Sequence, residues 1–86
     1  MDLEREIDGR QATRIVQDYF NEQYGIFGVV LFEILNATYD EEKKSWTVDC
    51  SFYRTAAASQ KDFYSVVLHS DGRIGSVKKI EKEPSR

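Results

Sequence analysis

A two-residue alternation in residues 45–54 constrains the fold more than any other part of the sequence. Large or apolar side chains alternate there with short or polar ones, which is the period of a pleated strand. The apolar set is Trp46, Val48, Cys50 and Phe52, and the intervening set is Thr47, Asp49, Ser51 and Tyr53. We therefore predict a half-buried antiparallel strand whose apolar face is covered by another element.

The predicted cover is an amphipathic helix near the N-terminus. Apolar side chains in residues 12–24 recur at the three- and four-residue intervals of one helix face. They are Ala12, Ile15, Val16, Tyr19, Phe20 and Tyr24. Asp8 is the predicted N-cap, Gln11 completes a capping box with it, and Gly25 ends the helix. Residues 2–7 are expected either to extend the helix by a turn or two or to fray.

The segment between the helix and this strand is predicted to be another strand. Residues 29–39 are rich in β-branched and aromatic side chains, but their apolar positions change parity midway. A bulge near Glu33 or Ile34 would insert one residue and return both halves to the same face. The charged residues 40–44 are the predicted hairpin connection to the strand at 45–54.

A second hairpin is predicted after the loop at residues 55–61. Residues 62–70 are apolar on both faces, as in a strand that is central or covered twice. Asp71 and Gly72 form a strong turn signal, because Gly adopts the positive φ that tight turns require. Residues 74–80 are the predicted last strand, with two lysines that suit a sheet edge.

These elements define the predicted architecture. One helix followed by consecutive strands with short connections gives an α+β fold, in which an N-terminal helix packs on a three- or four-stranded antiparallel β-meander. A chain of 86 residues forms a single domain, so we assign residues 1–86 to one unit. Within it, residues 1–8 are expected to fray in part, and residues 81–86 are expected to form a tail.

Composition and charge exclude several classes of protein. The longest apolar run is far too short to span a bilayer, and the acidic N-terminus differs from a secretory signal. We therefore expect a cytoplasmic protein without membrane insertion. The sequence pI of about 5.1 argues against nucleic acid as a partner. Charge is unevenly distributed, because residues 1–42 carry ten acids and three bases whereas residues 43–86 carry five acids and nine bases.

The residue types used in catalysis or metal binding are sparse. Cys50 is the only cysteine and lies on the apolar face of its strand, so we predict a small buried hydrophobic residue. His69 is the only histidine, and a satisfied or solvent-facing side chain is the simplest interpretation. Asp49 lies between two hydroxyl residues of its strand and would be able to orient a hydroxyl nucleophile. No histidine or lysine that would serve as its base is predicted nearby, so we predict a solvent-facing polar strip. We therefore predict a protein that is not an enzyme and has no cofactor or metal site.

Three segments together resemble a PepSY-type unit. These are the helix ATRIVQDYF, the strand WTVDC after an acidic turn, and the hairpin YSVVLHSDGRI. The positions that match the hairpin pattern are Tyr64, Val66, Leu68, Asp71, Gly72 and Ile74, and the resemblance covers about residues 10–80. It implies a noncatalytic module that binds a peptide or a protein domain. The chain is also similar to small gas-vesicle accessory proteins that combine a helix with a Trp-containing meander.

The second face of the sheet is the predicted partner-binding surface. Tyr53, Phe63 and Val67 are expected there, beside Arg54 and His69. Contiguous exposed aromatic and aliphatic groups often mark association. The predicted function is therefore binding of a protein or peptide, with a homodimer packed sheet to sheet among the candidates. The alternatives are an accessory subunit of a larger assembly, a small enzyme whose site is shared between chains, and a scatter of aromatic side chains without function.

Overall fold

The computed structural model describes residues 6–81 and has one helix packed on a four-stranded antiparallel sheet. The elements are helix α1 (Gly9–Tyr24), a 3-10 turn (Ile26–Gly28), and strands β1 (Val30–Asp40), β2 (Ser45–Tyr53), β3 (Asp62–His69) and β4 (Ile74–Ile80). The strand order is β1-β2-β3-β4, so the predicted meander on an N-terminal helix is confirmed, with β2 and β3 central. In residues 6–81, no helix is both long enough and apolar enough to cross a membrane.

Helix α1 begins and ends at the predicted residues. Asp8 Oδ1 accepts a hydrogen bond from the Gln11 amide at 2.8 Å, and Gln11 Oε1 accepts one from the Asp8 amide at 3.0 Å. This capping box satisfies two amides that the helix itself leaves unpaired. At the other end Gly25 has φ 80 and donates to the Asn21 carbonyl at 2.8 Å.

The segment before α1 runs along the sheet instead of extending the helix. The Ile7 amide donates to the Ser70 carbonyl at 2.9 Å, and Trp46 Nε1 donates to the Ile7 carbonyl at 3.3 Å. The indole also lies over Gly9, where an added β-carbon would be 3.3 Å from the ring. Residues 6–8 are therefore fixed by β2 and the β3–β4 turn. Residues 1–5 and 82–86, which include most of the predicted frayed segment and tail, lie outside the described residues.

The core lies between α1 and one face of the sheet. Its buried hydrophobic residues are Ala12, Val16 and Phe20 of α1, Val48, Cys50 and Phe52 of β2, and Tyr64, Val66 and Leu68 of β3. Each large side chain in this set contributes roughly 1.5 to 3 kcal/mol by leaving water. Trp46 is half-buried beside them. The alternation in residues 45–54 therefore predicted correctly which face of β2 meets the helix.

The predicted bulge is present in β1. Ile34 pairs with Cys50 and Ala37 pairs with Val48, so two residues of β1 lie between these pairs for one on β2. The register shifts between residues 34 and 36, around Leu35. This extra residue keeps both halves of β1 in phase with the helix-facing side of β2.

Candidate functional site

The face of the sheet that points away from α1 is the candidate site, and we call it the open face. The register aligns its residues in cross-strand rows, and three of these span all four strands. They are Glu33–Ser51–Phe63–Ile80, Asn36–Asp49–Ser65–Lys78 and Thr38–Thr47–Val67–Ser76. Within residues 6–81, α1 is the only element that forms a second layer, and it lies against the opposite face.

The structure brings four of the five predicted partner-binding residues onto this face. Tyr53, Phe63 and Val67 are half-buried, whereas His69 is exposed, as the sequence predicted for this histidine. The imidazole of His69 lies over β4 at Gly75, where an added β-carbon would be 3.2 Å from Nε2. The face therefore has an apolar centre on β3 and a polar end at the β3–β4 turn.

Arg54, the fifth predicted residue, lies on the helix side. Its guanidinium carbon is 3.8 Å from the centre of the Tyr24 ring, a cation–π contact with the end of α1. The Tyr24 hydroxyl lies 3.4 Å from the Tyr64 hydroxyl. Burial, followed by this hydrogen bond, raises the pKa of Tyr64. Arg54 therefore belongs to an aromatic cluster behind the sheet and does not line the open face with the other four.

Ser51 is enclosed at the centre of the open face, and the prediction of a solvent-facing polar strip was wrong at this position. Its exposed fraction is 0%, and among the described residues its Oγ has no hydrogen-bond partner. Glu33 lies beside it on β1, and Lys61 precedes β3 on its other side. Lys61 Nζ lies 3.1 Å from Glu33 Oε1. This ion pair joins residues from the two sides of β2.

Asp49 and Lys78 are charged groups of the open face that have neither an ion pair nor a side-chain hydrogen bond with residues 6–81. Asp49 is half-buried in the middle of β2, and Lys78 is exposed on β4 in the same row, with Ser65 between them. By contrast, Glu33 pairs with Lys61 on this face, and Asp40 Oδ1 accepts hydrogen bonds from turn amides at 3.0 and 3.2 Å. Asp49 therefore presents a carboxylate that can pair with an external cation.

Cys50 lies on the other side of β2 and is buried, as predicted. Burial, with a smaller effect of the neighbouring Asp49 carboxylate, raises the pKa of its thiol to about 12. A thiol in this environment is a poor nucleophile at neutral pH. In the described part of the chain, no three His, Cys, Asp or Glu side chains come together in a way that could hold a metal ion.

A second exposed apolar surface lies at the start of β1 and was missed by the sequence analysis. Phe27 is 88% exposed in the 3-10 turn, and Leu31 is 73% exposed with φ 57. A left-handed conformation costs a leucine about 1 to 2 kcal/mol. The sequence contained one signal for this surface. Phe27 is an aromatic residue between Gly25 and Gly28, which is an unusual place for a core side chain. Nothing in the sequence indicated the conformation of Leu31.

A shallow cleft of about 240 Å³ lies where β3 begins and β4 ends. Residues 60–62 and 79–81 line it, and its charges partly neutralise each other, because Lys79 Nζ lies 3.8 Å from Asp62 Oδ1. The cleft is therefore polar and close to the edge of the open face, with no cluster of groups suited to catalysis among its lining residues.

Comparison with known proteins finds no match among protein-family models, curated proteins or solved structures. The resemblance to PepSY units therefore rests on the motif residues alone.

Proposed function

We propose that the protein is a noncatalytic binding module that holds a protein or peptide on the open face of its sheet. The observation that carries the proposal is the one-sided covering of the sheet. Helix α1 buries one face, whereas the other presents Tyr53, Phe63 and Val67 with no second layer from residues 6–81. Aromatic and aliphatic groups surrounded by hydroxyl and charged groups are typical of protein interfaces with an apolar centre and a polar rim.

The charges of the open face favour a protein over a nucleic acid. Glu33, Asp40 and Asp49 balance the positive charges of Lys61 and Lys78. A phosphate backbone requires an excess of basic groups, which this face does not present. The proposed partner is therefore a polypeptide surface with both charged signs and some apolar area.

Site-specific photo-crosslinking in the source cell tests this function. A benzophenone amino acid replaces Tyr53 on the open face in one protein and Gln17 on the exposed side of α1 in the control. We expect adducts from position 53 and few from position 17, and mass spectrometry then identifies the captured chain. Equal labelling from both positions, or no adduct from position 53, would refute binding through the open face.

A second candidate is an accessory subunit of a larger assembly, which is supported by the exposed Phe27 and Leu31. A subunit that holds a neighbour exposes apolar side chains to it, and these two side chains are 88% and 73% exposed. Changing Phe27 and Leu31 to Ser should release the chain from the assembly in gel filtration of cell extracts. Unchanged elution would count against this role. For both candidates we take the cytosol as the compartment.

A further inference from the structure

We infer that the outer edge of β1 binds a basic peptide segment of another protein, which adds to the sheet as a fifth strand along residues 36–40. This surface is separate from the open face, so the inference goes beyond the proposed function. Its support comes from the unpaired backbone of the edge, the side chains beside it and the charges around it.

The outer edge of β1 has unpaired backbone groups along residues 36–40. β1 pairs with β2 on one side, and within residues 6–81 no other backbone group bonds to this stretch. The register with β2 is unbroken here, from Asn36 opposite Asp49 to Asp40 opposite Ser45. Alternate residues of an edge strand direct their amides and carbonyls outward, where they form a template for a further strand.

This part of the edge also lacks the features that prevent strand addition, which are bulges, prolines and lysines. The register shifts of β1 lie before residue 36, and the other edge of the sheet carries Lys78 and Lys79. Residues 36–40 contain none of these features, and four of the five are exposed. The ladder therefore has room for a short extended segment, although it is shorter than the roughly six residues of a fibril-forming segment.

The side chains beside the ladder indicate what the added strand presents on the helix side. Ala37 and Tyr39 lie on that side, because they pair with Val48 and Trp46. Ala37 is exposed, so α1 does not cover β1 at this point, and the half-buried Tyr39 ring lies 5.2 Å from the Trp46 ring. Neighbouring side chains on one face of a sheet stabilise each other when both are apolar. The added strand should therefore have apolar residues at these alternate positions.

The charges around this edge are acidic. Residues 15–42, which run from α1 to the turn after β1, carry six acids and no base, namely Asp18, Glu22, Glu33, Asp40, Glu41 and Glu42. The last three end the ladder and begin the turn, and within residues 6–81 none of them makes an ion pair. The first bases, Lys43 and Lys44, follow on the side of the turn that leads into β2. A basic strand is therefore attracted to the edge and an acidic one is repelled.

The basic strand β4 of a second copy fits this edge less well than a separate peptide does. Its lysines are adjacent, and Lys78 faces the open side whereas Lys79 faces the helix side. Beside β1, one of the two would lie on the apolar side in either strand direction. Pairing of β1 with β4 would also leave a free edge at each end and continue into an open chain of copies. The segment is therefore assigned to another protein.

A peptide titration provides the test. The probe is Lys-Val-Thr-Val-Lys with blocked termini, which reads the same in both directions and so places valines beside Ala37 and Tyr39 whichever way it runs. NMR spectra of isotope-labelled protein should show saturable shifts of the amides of residues 36–40, with a dissociation constant on the order of 1 mM. The control peptide Glu-Val-Thr-Val-Glu should bind at least about fivefold more weakly.

Two N-methylated probes separate a strand ladder from attraction between charges alone. One is methylated at both valines, and the other at the threonine and both lysines. Because only alternate residues of an added strand donate to its neighbour, one probe should keep its affinity and the other should lose at least about tenfold.

Asp40→Asn tests the contribution of charge from the side of the protein. Asp40 Oδ1 accepts the amides of Glu42 and Lys43 at 3.0 and 3.2 Å, and the amide oxygen of asparagine keeps this turn. The variant should bind the lysine peptide about threefold more weakly. The control is Asp71→Asn, which loses a carboxylate that accepts the Arg73 amide at 3.1 Å in the β3–β4 turn, and its affinity should be unchanged.

Several results would overturn the inference. They are an absence of shifts in residues 36–40 up to about 10 mM peptide, equal affinity of the two N-methylated probes, and equal affinity of the basic and acidic peptides. Shifts in both β1 and β4 that grow with the concentration of the protein alone would identify a second copy as the occupant. None of these measurements involves position 53, so crosslinking from the open face tests the proposed function separately.

Discussion

The indole of Trp46 and the main chain of Ile7 form a contact that joins the start of the chain to the sheet. Trp46 Nε1 lies 3.3 Å from the Ile7 carbonyl oxygen, and the Ile7 amide is bonded to the Ser70 carbonyl at 2.9 Å. One peptide segment is thus held from both sides just before the capping residue of α1. The bond from Trp46 therefore helps to place the helix as well as to fill the core.

Trp46→Phe should loosen this segment selectively. The variant keeps an aromatic ring but loses the donor, and a single hydrogen bond contributes about 1 kcal/mol. Hydrogen exchange should show the protection of the Ile7 amide falling by about fivefold, with smaller changes in β2 and β3. Tyr39→Phe is the control, because the Tyr39 ring packs 5.2 Å from the Trp46 ring without taking part in this hydrogen bond. Unchanged protection at Ile7 in Trp46→Phe would contradict the prediction.

The buried Cys50 should make the protein less stable in alkaline solution. The folded protein holds its thiol proton up to a pKa of about 12, whereas the ordinary value is 9.0. Because the unfolded chain releases this proton first, stability is unaffected below pH 9 and falls above it by about 1.4 kcal/mol per pH unit. Urea unfolding at about pH 8 and pH 9.5 measures the change, below the ordinary tyrosine pKa of about 10.

The Cys50→Ala variant isolates the effect of the thiol. It should be less stable at every pH, because it loses buried volume, but it should lose less of its stability between the two pH values. A parallel decline in both proteins would show that other groups cause the alkaline loss. Alkylating reagents should modify Cys50 at the rate of unfolding and no faster.

Ser51→Ala should leave the protein as stable as the wild type or stabilise it by about 1 kcal/mol. The Ser51 hydroxyl is enclosed without a partner among the described residues, and an unsatisfied buried polar group costs about 1 to 3 kcal/mol. Alanine fills nearly the same space without that penalty. The control is Ser65→Ala on the neighbouring strand, where a half-buried hydroxyl should change stability by less than about 0.5 kcal/mol. A clear loss of stability in Ser51→Ala would mean that a hydrogen bond, such as one to bound water, supports this hydroxyl.

Leu31→Gly should cost no stability and could add up to about 1 kcal/mol. Relief of the left-handed conformation raises the free energy of unfolding by about 1 to 2 kcal/mol. The greater freedom of glycine in the unfolded chain lowers it by about 0.5 to 1 kcal/mol. The lost side chain is mostly in water, so little burial is sacrificed. Thermal unfolding measures the effect, with Phe32→Ala as the control, because the Phe32 ring packs against Phe20 and Phe52. A loss larger than about 1 kcal/mol for Leu31→Gly would show that its side chain supports the fold.

Much of the fold was predictable because its signals are local. The alternation around Trp46, the pairing of Asp8 with Gln11 and the Asp71-Gly72 turn each depend on a few neighbouring residues. Their physical causes, which are pleating, capping and positive φ, act within those residues. The structure confirms the helix bounds within the capping residues and each strand within about one residue.

The candidate site was less predictable because it depends on contacts between distant residues. The ion pair between Glu33 and Lys61 joins positions 28 residues apart, across β2. Ser51 is likewise enclosed by the tertiary arrangement instead of facing water. Arg54 was placed with the open face, although the alternation that puts Phe52 on the helix side puts Arg54 there too, and its ring partner is Tyr24. The ion pair, by contrast, cannot be inferred without the tertiary arrangement.

The broken register of β1 bears on how this protein behaves at high concentration. β1 is a free edge, yet its pairing shifts between residues 30 and 33 and again between residues 34 and 36. An incoming strand from another molecule would find an uninterrupted ladder only along residues 36–40, which is too short to seed a fibril. The other edge, β4, carries the adjacent Lys78 and Lys79. Both edges thus disfavour amyloid-like growth, and the protein should remain in solution at high concentration.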